Sequence, residues 1–366
     1  MIKQNPTCKV ALIGDSLAGG GAEKVHALLS LYLHQAGCDV HNVIFGDAIT
    51  YDFGGSLLNL GTIKPQANFI TRKNTRFRQL KMYVNQQGFD AVIDFRMRTV
   101  FGLEWLLAKR VYPKNTFYTV HSGILEYYFP KSPFLSKMVY RKHQVVAVSK
   151  AIQQAIMVKG LATNCLQVYN PVDFKTMDRL KQEHLPKEAF IMAAGRMNDE
   201  VKQFDVLIKA YAKSVLPSKN IKLFLLGEGK HQGKYEALAA SLGLQELVVF
   251  KGFVANPFPY YQNAKFTVLT SKNEGFPNVI IESLALGTPV ISFDCFSGPN
   301  EVVLHRGNGL LVEDQNQIQL VEAMNLFLED EALYAYCKSK ARESVAQFDI
   351  EIIGKQWLEI LKNTVS

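Results

Sequence analysis

Two glutamates, Glu274 and Glu282, stand eight positions apart in the segment KNEGFPNVIIESLALG. Taken alone, such a pair is typical of solvated surface charges. Here the pattern of a buried strand, KFTVLT, comes just before the pair, and Gly-Phe-Pro-Asn separates Glu274 from the apolar run that holds Glu282. We therefore interpret the segment as a ligand site. One carboxylate would accept hydrogen bonds from sugar hydroxyls, and the other would hold the diol of a ribose.

The residues between the two glutamates predict the start of a helix. Pro277 fits the first turn, where its missing N–H is not needed, and the helix is expected to run to about Leu286 and to end at Gly287. The first N–H groups of a helix have no partners within it. Those around Asn278 and Val279 can therefore receive phosphate oxygens in the space next to Glu274.

An arginine and a lysine bracket another predicted strand-to-helix loop, in AAGRMNDEVKQFDVLIKAYAK. Gly195 and Arg196 end the strand, and Lys202 precedes the helix. Because a guanidinium presents a fork of donors and an ammonium a point charge, the two side chains can clamp a diphosphate. After the next predicted strand, the segment LLGEGK forms a tight Gly-x-Gly turn that includes Gly227.

Three glycines, Gly19–Gly21, lie between the first predicted strand and the first predicted helix, in KVALIGDSLAGGGAEKVHALL. Glycines let the backbone approach a ligand closely, and the start of the helix attracts anions. The spacing differs from the dinucleotide fingerprint G-x-G-x-x-G, since Gly14 and Gly19 are five apart. We interpret the loop as facing an anion or a sugar. A flexible turn and a dinucleotide site are the alternatives.

The basic residues are concentrated in the first part of the chain. Residues 1–165 contain 20 Lys/Arg and 9 Asp/Glu, whereas the remainder contains 21 and 24. Two segments, 70–87 and 129–144, mix cations with apolar and aromatic residues, which suits the boundary between lipid headgroups and acyl chains. Solvated helix faces and a nucleic-acid surface are the alternatives, but no nucleic-acid motif accompanies the charge. The cations of interest are Arg72, Lys73, Arg76, Arg78, Lys81, Lys137, Arg141 and Lys142.

Composition favours a globular protein of two domains, with 366 residues of which 48% are hydrophobic and 20% charged. No apolar run approaches the roughly 20 residues of a membrane span. The N-terminal residues lack the pattern of a signal peptide, so the cytoplasm is expected. The five cysteines have no C-x-x-C spacing, which argues against a disulfide framework or a zinc site and favours buried thiols.

Short apolar runs alternate with helical periods along the whole chain, which predicts parallel sheets covered by helices on both faces. The polar segment at 169–190 predicts the boundary between two doubly wound domains. The expected strands are 9–14, 91–95, 116–121, 145–149, 166–170, 190–195, 221–227, 247–253, 265–270 and 289–294. The expected amphipathic helices include 23–36, 232–243, 315–328 and 350–361.

These motifs, in this order, resemble the retaining glycosyltransferases of family 4. GGGAEKV looks like the family's GGAE-[RK]-V, and VSKAIQQAI and VYNPVD are similar to its segments near the domain boundary. GRM…KQFDVLIKAY, LLGEGK, KNEGFPNVIIESLALGTPVIS and SGPNEVV resemble successive parts of its donor-binding domain. The resemblance implies the GT-B fold, in which two Rossmann-like domains face each other across a cleft. Residues 1–170 would form the acceptor- and membrane-facing domain, 171–348 the nucleotide-sugar domain, and 349–366 a helix that crosses back.

The resemblance also implies a role for each matching residue. Arg196 and Lys202 would bind the donor diphosphate and stabilise the leaving group, Glu274 would contact the donor sugar, and Glu282 would hold the ribose. His121, in YTVHSG, matches a histidine that touches the donor sugar from across the cleft. The backbone of the donor site would come from Gly20, Gly21, Gly195, Gly227, Gly275, Phe276, Pro277, Asn278 and Val279.

Two features depart from the family pattern. Arg196 and Lys202 are six apart where five is expected, and Lys202-Gln203-Phe204 replaces the usual Lys-Gly. Both leave the geometry of this loop open. No D-x-D motif is present, which agrees with the metal-independent chemistry of this fold class.

The resemblance implies an enzyme that moves a hexose or N-acetylhexosamine from a nucleotide-diphosphate sugar, with UDP expected, without a metal or other cofactor. The acceptor would be a lipid-linked or cell-surface saccharide, as in lipopolysaccharide, capsule or lipid-linked oligosaccharide assembly. The protein would be peripheral at the inner face of the cytoplasmic membrane and would not bind nucleic acid. A GT-B sugar phosphorylase and a non-catalytic protein that binds saccharide or nucleic acid are the alternatives.

Overall fold

A computed structural model of the chain describes residues 8–63, 69–182 and 188–365, with the backbone alone for 69–74 and 365. The chain divides into two compact units. Unit 1 comprises Met1–Pro171 and Ile350–Ser366, and unit 2 comprises Val172–Asp349.

Each unit contains one sheet in which every paired strand is parallel. The seven-stranded sheet of unit 1 has the order β3-β2-β1-β4-β5-β6-β7, and the six-stranded sheet of unit 2 has the order β10-β9-β8-β11-β12-β13. The strands are β1 Lys9–Gly14, β2 Asp39–Ile44, β3 Ser56–Asn59, β4 Ala91–Asp94, β5 Thr116–Val120, β6 Gln144–Ala147, β7 Cys165–Gln167, β8 Phe190–Ala194, β9 Lys222–Leu226, β10 Val248–Gly252, β11 Thr267–Leu269, β12 Val290–Phe293 and β13 Gly309–Val312.

The α-helices alternate with the strands, as parallel pairing requires. They are α1 Gly21–Gln35, α2 Phe69–Gln87, α3 Phe101–Arg110, α4 Pro133–Tyr140, α5 Lys150–Val158, α6 Phe174–Leu180, α7 Phe204–Lys213, α8 Gln232–Ser241, α9 Phe258–Asn263, α10 Asn278–Ala285, α11 Pro299–Val302, α12 Gln317–Glu329, α13 Glu331–Ala341 and α14 Ile350–Val365. Among the described residues, none of these helices is both long and apolar enough to span a bilayer.

All ten predicted strands are present, most of them slightly shortened, and the four named helices are present as α1, α8, α12 and α14. Strands β2, β3 and β13 were not predicted. In β2 the polar residues His41 and Asn42 interrupt the apolar pattern, yet both are buried. The Asn42 amide donates to the carbonyl oxygen of Gly54 at 2.7 Å, and its Oδ1 lies 3.0 Å from Nε2 of His26. These partners from other segments satisfy the Asn42 amide, so the strand can lie inside the unit.

The last helix, α14, packs into the core of unit 1. Trp357 is 4% exposed, and its ring makes an edge contact with Phe117 of β5 at a centroid distance of 5.9 Å. At Gly354 a Cβ atom would lie 2.4 Å from the ring of Tyr32 on α1, so only glycine allows this approach of the two helices. Residues from both parts of the chain therefore complete one core.

The strand order reverses once in each sheet, between β1 and β4 in unit 1 and between β8 and β11 in unit 2. In open parallel sheets, the loops that follow the two strands at such a switch point diverge and leave a crevice where ligands bind. The loops that matter are therefore those after β1 and β4 in unit 1, and those after β8 and β11 in unit 2.

Candidate active site

An ion pair joins the two loops at the switch point of unit 2. Lys202 lies in the loop after β8 and Glu274 in the loop after β11, and Nζ of Lys202 is 2.6 Å from Oε1 of Glu274. The two side chains are 22% and 11% exposed, so the pair is sheltered but still reachable from solvent. Two residues that sequence reasoning assigned to one ligand therefore lie in direct contact.

The approach of Lys202 depends on a glycine. A Cβ atom on Gly195 would lie 3.0–3.2 Å from three methylene carbons of the Lys202 side chain. Gly227, in the loop after β9, has a φ of +123°, and a Cβ there would lie 2.0 Å from the carbonyl oxygen of Gly195. The Gly195 N–H donates to the carbonyl oxygen of Leu226, the last residue of β9, at 2.9 Å. The predicted tight turn therefore supports the loop that carries Arg196 and Lys202.

Gln203, the residue after Lys202, explains one departure from the family pattern. Its backbone is left-handed, with φ 48° and ψ 48°, at the position that precedes α7. Glycine adopts this conformation without steric cost, whereas other residues do so at about 1 kcal/mol or more. The single proton of the Thr270 hydroxyl is shared between the carbonyl oxygens of Lys202 and Gln203, which lie 2.9 and 3.3 Å from Oγ1. These bonds hold the strained turn to the end of β11.

Arg196 is exposed and makes no hydrogen bond or ion pair with the part of the chain that the structure describes. Its neighbour Met197 is fully buried, and the Met197 N–H donates to the carbonyl oxygen of Glu228 at 2.9 Å. The guanidinium thus extends from an anchored backbone into solvent. A ligand can receive its donors without first breaking an internal contact.

The loop that holds Glu274 is braced by the segment after β12. The Glu274 N–H donates to the carbonyl oxygen of Phe296 at 3.2 Å, and Ser297 Oγ donates to the carbonyl oxygen of Gly275 at 2.7 Å. A Cβ on Gly298 would lie 2.5 Å from Cδ of Pro277. The SGPNEVV segment therefore positions the GFPN turn.

Helix α10 begins at Asn278, one residue after Pro277, and ends at Ala285. The expectation of two free N–H groups at its start is wrong for Asn278, whose N–H donates to the carbonyl oxygen of Phe276 at 2.9 Å. This bond forms because the chain turns sharply before the helix. Val279 N–H has no backbone partner among the described residues and is still available to an anion.

Glu282 lies inside α10 and is only 5% exposed. It interacts with the hydroxyl of Tyr261 on α9, a residue that is 1% exposed. Burial, followed by the charge of Glu282, raises the pKa of Tyr261, so the phenol stays protonated and can donate to the carboxylate. The structure thus gives Glu282 an internal partner that sequence reasoning did not anticipate.

In unit 1 the glycine-rich loop leads into α1. Gly20 precedes the helix and Gly21 is its first residue. A Cβ on Gly20 would lie 2.0 Å from a carboxylate oxygen of Glu23, so the side chain of Glu23 folds back over the loop. The predicted loop is therefore at a helix start, but a carboxylate lies beside it.

His121 follows β5, and its ring stacks on the ring of Phe95 with 5.5 Å between the centroids. The ring of His26 also stacks on Phe95, with 5.0 Å between the centroids. Burial, assisted by the charge of Arg98, lowers the pKa of His121 to about 3, although nearby Asn170 opposes the shift. Burial likewise lowers the pKa of His26 to about 4. Both imidazoles are therefore neutral at neutral pH, and His121 can act as a donor or acceptor but not as a cation.

Two family models match the chain in succession. The model described as "Glycosyltransferase Family 4" matches residues 19–176, and the one described as "Glycosyl transferases group 1" matches residues 175–344. The chain belongs to glycosyltransferase family 4. The glycine-rich loop and all of the unit 2 residues described above lie within the matched ranges.

Individual glycosyltransferases are also similar to this chain. The N-acetylgalactosamine-N,N'-diacetylbacillosaminyl-diphospho-undecaprenol 4-alpha-N-acetylgalactosaminyltransferase of Campylobacter jejuni is 28% identical over 96% of this chain and 99% of its own. The lipopolysaccharide 1,6-galactosyltransferase of Salmonella typhimurium is 29% identical over 52% of this chain and 54% of its own. The solved structure of Anabaena Alr3699/HepE in complex with UDP-glucose is similar with a TM-score of 0.77 and 20% identity, covering 97% of this chain and 100% of that one. The predicted GT-B class of this family 4 glycosyltransferase is confirmed.

The basic segments of the glycosyltransferase only partly match the sequence expectation. Arg72 and Lys73 lie outside the described side chains, and Arg76 donates to the carbonyl oxygen of Gly61 at 3.1 Å instead of extending outward. Among the apolar residues interleaved with the cations, Phe129, Val139 and Tyr140 are buried and Phe134 is 72% exposed. The cations that are exposed on α2, on α4 and just after α4 are Arg78, Lys81, Lys137, Arg141 and Lys142.

Sequence reasoning missed a buried ionic cluster at the end of β4. Arg96 is 5% exposed, and its guanidinium contacts Asp94 at 2.7 Å and Glu104 at 2.9 Å. Arg98, which is 2% exposed, donates to the carbonyl oxygen of Thr119 at 2.8 Å. The segment DFRMR, an aspartate at a strand end followed by alternating arginines, is the signal that could have revealed it.

The described residues contain no group of three or more His, Cys, Asp or Glu side chains that could hold a metal ion. None of the five cysteines forms a disulfide, but Cys8 and Cys38, which precede β1 and β2, have their Sγ atoms 2.8 Å apart. Both are buried.

Proposed function

We propose that this glycosyltransferase moves a hexose or N-acetylhexosamine from a nucleotide-diphosphate sugar, with UDP as the nucleotide, to a lipid-linked or cell-surface saccharide, with retention at the anomeric carbon. The observation that carries the proposal is the Lys202–Glu274 pair at the switch point of unit 2, beside a loop from which Arg196 extends into solvent. Two cations next to a carboxylate suit a ligand in which a diphosphate adjoins sugar hydroxyls.

Each of these groups has a role in the proposed reaction. Arg196 and Lys202 stabilise the negative charge that develops on the leaving diphosphate. Glu274 accepts a hydrogen bond from a hydroxyl of the donor sugar and, through Lys202, is held in place before the donor binds. Glu282, which interacts with Tyr261, holds the ribose, because a carboxylate can accept several hydrogen bonds.

The proposed transfer occurs on one face of the donor sugar. The bond between the anomeric carbon and the diphosphate oxygen breaks, and a bond from the acceptor hydroxyl oxygen to that carbon forms on the same face. The departing phosphate oxygen takes the acceptor proton. Retention by two displacements would instead need an enzyme nucleophile next to the anomeric carbon.

The relatives support the choice of donor and acceptor classes. The Campylobacter jejuni relative is named for transfer of N-acetylgalactosamine to an undecaprenol-diphosphate-linked saccharide, and the Salmonella relative for transfer of galactose in lipopolysaccharide. The Anabaena structure contains UDP-glucose. We carry these classes, and not the individual sugars, over to this chain.

A panel of nucleotide sugars tests the donor. Thermal shift and slow hydrolysis should identify at least one UDP-sugar, and EDTA should leave both signals unchanged, because we propose that no metal takes part. Transfer to a saccharide acceptor should then give a product whose anomeric configuration, read by NMR, matches the donor. An inverted linkage would refute retention, and release of sugar 1-phosphate with inorganic phosphate would identify a phosphorylase.

We further propose that unit 1 contacts an anionic membrane surface through the exposed cations of α4 and its C-terminal end. Lys137, Arg141 and Lys142 are exposed there, together with the apolar ring of Phe134. Cations beside an inserting aromatic ring are typical of peripheral membrane contact.

Vesicle flotation tests this contact. The wild type should float with vesicles that contain phosphatidylglycerol and stay behind with phosphatidylcholine alone. A variant with Phe134→Ser and the three cations replaced by Gln should lose most of the binding. Replacement of Lys213, Lys338 and Lys340 by Gln, which removes three exposed cations of unit 2, is the matched control. Equal loss in both variants would leave only a nonspecific charge effect.

A further inference from the structure

The switch point of unit 1 is occupied by one carboxylate. Asp15 directly follows β1, and Met97 lies in the loop that follows β4, the neighbouring strand at the reversal. The Met97 N–H donates to Oδ2 of Asp15 at 3.2 Å. This bond joins the two loops across the crevice, as the Lys202–Glu274 pair does in unit 2.

Only one oxygen of the Asp15 carboxylate has a hydrogen-bond partner among the described residues. Oδ1 of Asp15 makes no hydrogen bond with the residues that the structure describes, and the side chain is neither fully buried nor fully exposed. Burial raises the pKa of Asp15, while the Met97 N–H and the charges of Arg96 and Arg98 oppose the shift. Oδ1 is therefore open to solvent at the crevice and can accept a hydrogen bond from a ligand in place of water.

The surroundings of Asp15 suit the carbon skeleton of a saccharide. Met97 is 54% exposed and Tyr127 is 41% exposed. They lie in neighbouring segments, because the backbone N–H of Arg98, the residue after Met97, donates to the carbonyl oxygen of Tyr127 at 2.7 Å. Sites for small molecules combine apolar and aromatic surface with a few placed polar groups, and this edge of the sheet offers both.

The charges at this crevice favour a neutral hydroxyl over a phosphate. Asp15 is an anion when ionised, and Glu23 folds over the adjacent glycine loop. Arg96 and Arg98 are buried beneath the edge, where their donors are already taken by Asp94, Glu104 and backbone carbonyls. A neutral hydroxyl donates to a carboxylate, whereas a phosphate is repelled by it.

We infer that Asp15 binds a hydroxyl group of the acceptor saccharide at the switch point of unit 1, with the acceptor sugar lying against Met97 and Tyr127. The inference rests on the proposed function, since it assigns the second substrate of the same transfer. Asp15 orients the acceptor, and the departing phosphate of the donor still takes the proton.

Two substitutions separate this role from a structural one. Asp15→Asn keeps an oxygen for the Met97 N–H but turns the open oxygen into an amide donor, whereas Asp15→Ala removes both. Asp52→Asn, at an exposed aspartate of the same unit, is the matched control. Each variant is assayed with the UDP-sugar that the wild type hydrolyses. The acceptor probes are undecaprenyl diphosphate-linked N-acetylgalactosamine and the octyl glycosides of galactose, glucose and N-acetylglucosamine.

The expected result is a loss that affects the acceptor alone. Asp15→Asn and Asp15→Ala should both lower kcat/KM for the acceptor by about 10–100-fold, the usual effect of one hydrogen bond to a charged group. Hydrolysis of the UDP-sugar and its thermal shift should stay at the wild-type level, and Asp52→Asn should behave as the wild type.

Other outcomes overturn the inference in distinguishable ways. If Asp15→Asn transfers normally while Asp15→Ala does not, the carboxylate only holds the Met97 loop. If both variants also lose donor hydrolysis, Asp15 is not specific to the acceptor. If the wild type hydrolyses the donor but glycosylates none of the probes, the saccharide acceptor class is wrong, and the inference fails with it. If the wild type neither binds nor hydrolyses any UDP-sugar, the proposed function itself fails.

Discussion

The two switch points have the same strand geometry but opposite chemistry. In unit 2 the crevice holds a lysine–glutamate pair, an exposed arginine and loops that fit together only through glycine. In unit 1 the crevice holds the Asp15 carboxylate, of which one oxygen is bonded to Met97. The neutral His121 follows the next strand, and the cations Arg96 and Arg98 are buried. The first suits a diphosphate and the second a neutral hydroxyl, so one fold used twice offers sites for two different substrates.

The comparison also shows that net charge is a poor guide to the sites. Residues 1–165, which make up most of unit 1, contain 20 Lys/Arg and 9 Asp/Glu, yet the polar group at their switch point is an acid. The remaining residues are slightly acidic overall, but their switch point holds two cations. The net charge of a unit affects how it associates with other charged surfaces. The ligand is determined by the few residues that follow the strands at the switch point.

The largest expected effect is on the stability of unit 1 alone. Arg96→Met leaves Asp94 and Glu104 buried without a countercharge, so the free energy of unfolding should fall by about 3–5 kcal/mol. Hydrogen exchange checks this unit by unit: amides of β4 and β5 should lose protection, and those of β8 and β11 should keep it. Arg78→Met, at an exposed position on α2, is the control. Equal loss in both units would mean that they do not unfold separately.

The next effect is on catalysis through unit 2. Lys202→Gln, Arg196→Gln and Glu274→Ala should each lower kcat by about 100–1,000-fold, since each removes a group that stabilises or orients the transition state. Circular dichroism should show folded protein. Lys209→Gln, which breaks only an exposed pair with Asp205 on α7, should leave kcat unchanged. Wild-type turnover in the first three variants would show that this switch point is not the donor site.

The third prediction concerns pH and again separates the units. His26, which is buried, and His121, which is partly buried, have pKa values of about 4 and 3 in unit 1, below the 6.5 of an unfolded chain. Their folded-state pKa values are lowered, so their stabilising contribution is full above pH 6.5 and is lost as the pH falls from there towards 4. The slope should approach about one proton per histidine.

Hydrogen exchange of β1 and β5 amides between pH 7 and pH 5, corrected for the intrinsic rate, measures this loss. His26→Gln should remove about half of the slope. A slope that is unchanged in this variant would mean that another group of unit 1 titrates.

The smallest effect concerns the left-handed Gln203. Gln203→Gly should raise the free energy of unfolding by up to about 1 kcal/mol, because glycine adopts φ 48° without steric cost but loses more backbone entropy. Gln203→Val should lower it, since a β-branched residue resists this conformation. Denaturant unfolding measures both. A marked loss with glycine would show that the buried Gln203 side chain contributes more than its backbone strain costs.

Sequence patterns predicted the fold well because buried parallel strands are continuous apolar runs, which a sequence displays directly. They failed at β2, since buried Asn42 and His41 bond there to residues of other segments, Asn42 to His26 and Gly54 and His41 to Tyr83. The motifs also assigned Lys202 and Glu274 to one donor site, and in the structure their side chains form an ion pair. Asp15 and the Arg96 cluster could not be found in this way. Their significance comes from strand order, and the reversal between β1 and β4 is not visible in any single segment.

The chain passes through unit 2 before it finishes unit 1, and this bears on how the protein is made. Unit 2 is one continuous segment, whereas the core of unit 1 is completed by Ile353, Trp357 and Leu361 of α14. Domains generally fold as they emerge during synthesis, at about 5–20 residues per second. The apolar surface around Phe117 must therefore stay uncovered while all of unit 2 is synthesised, so the part of the chain made first is the last to reach its final packing.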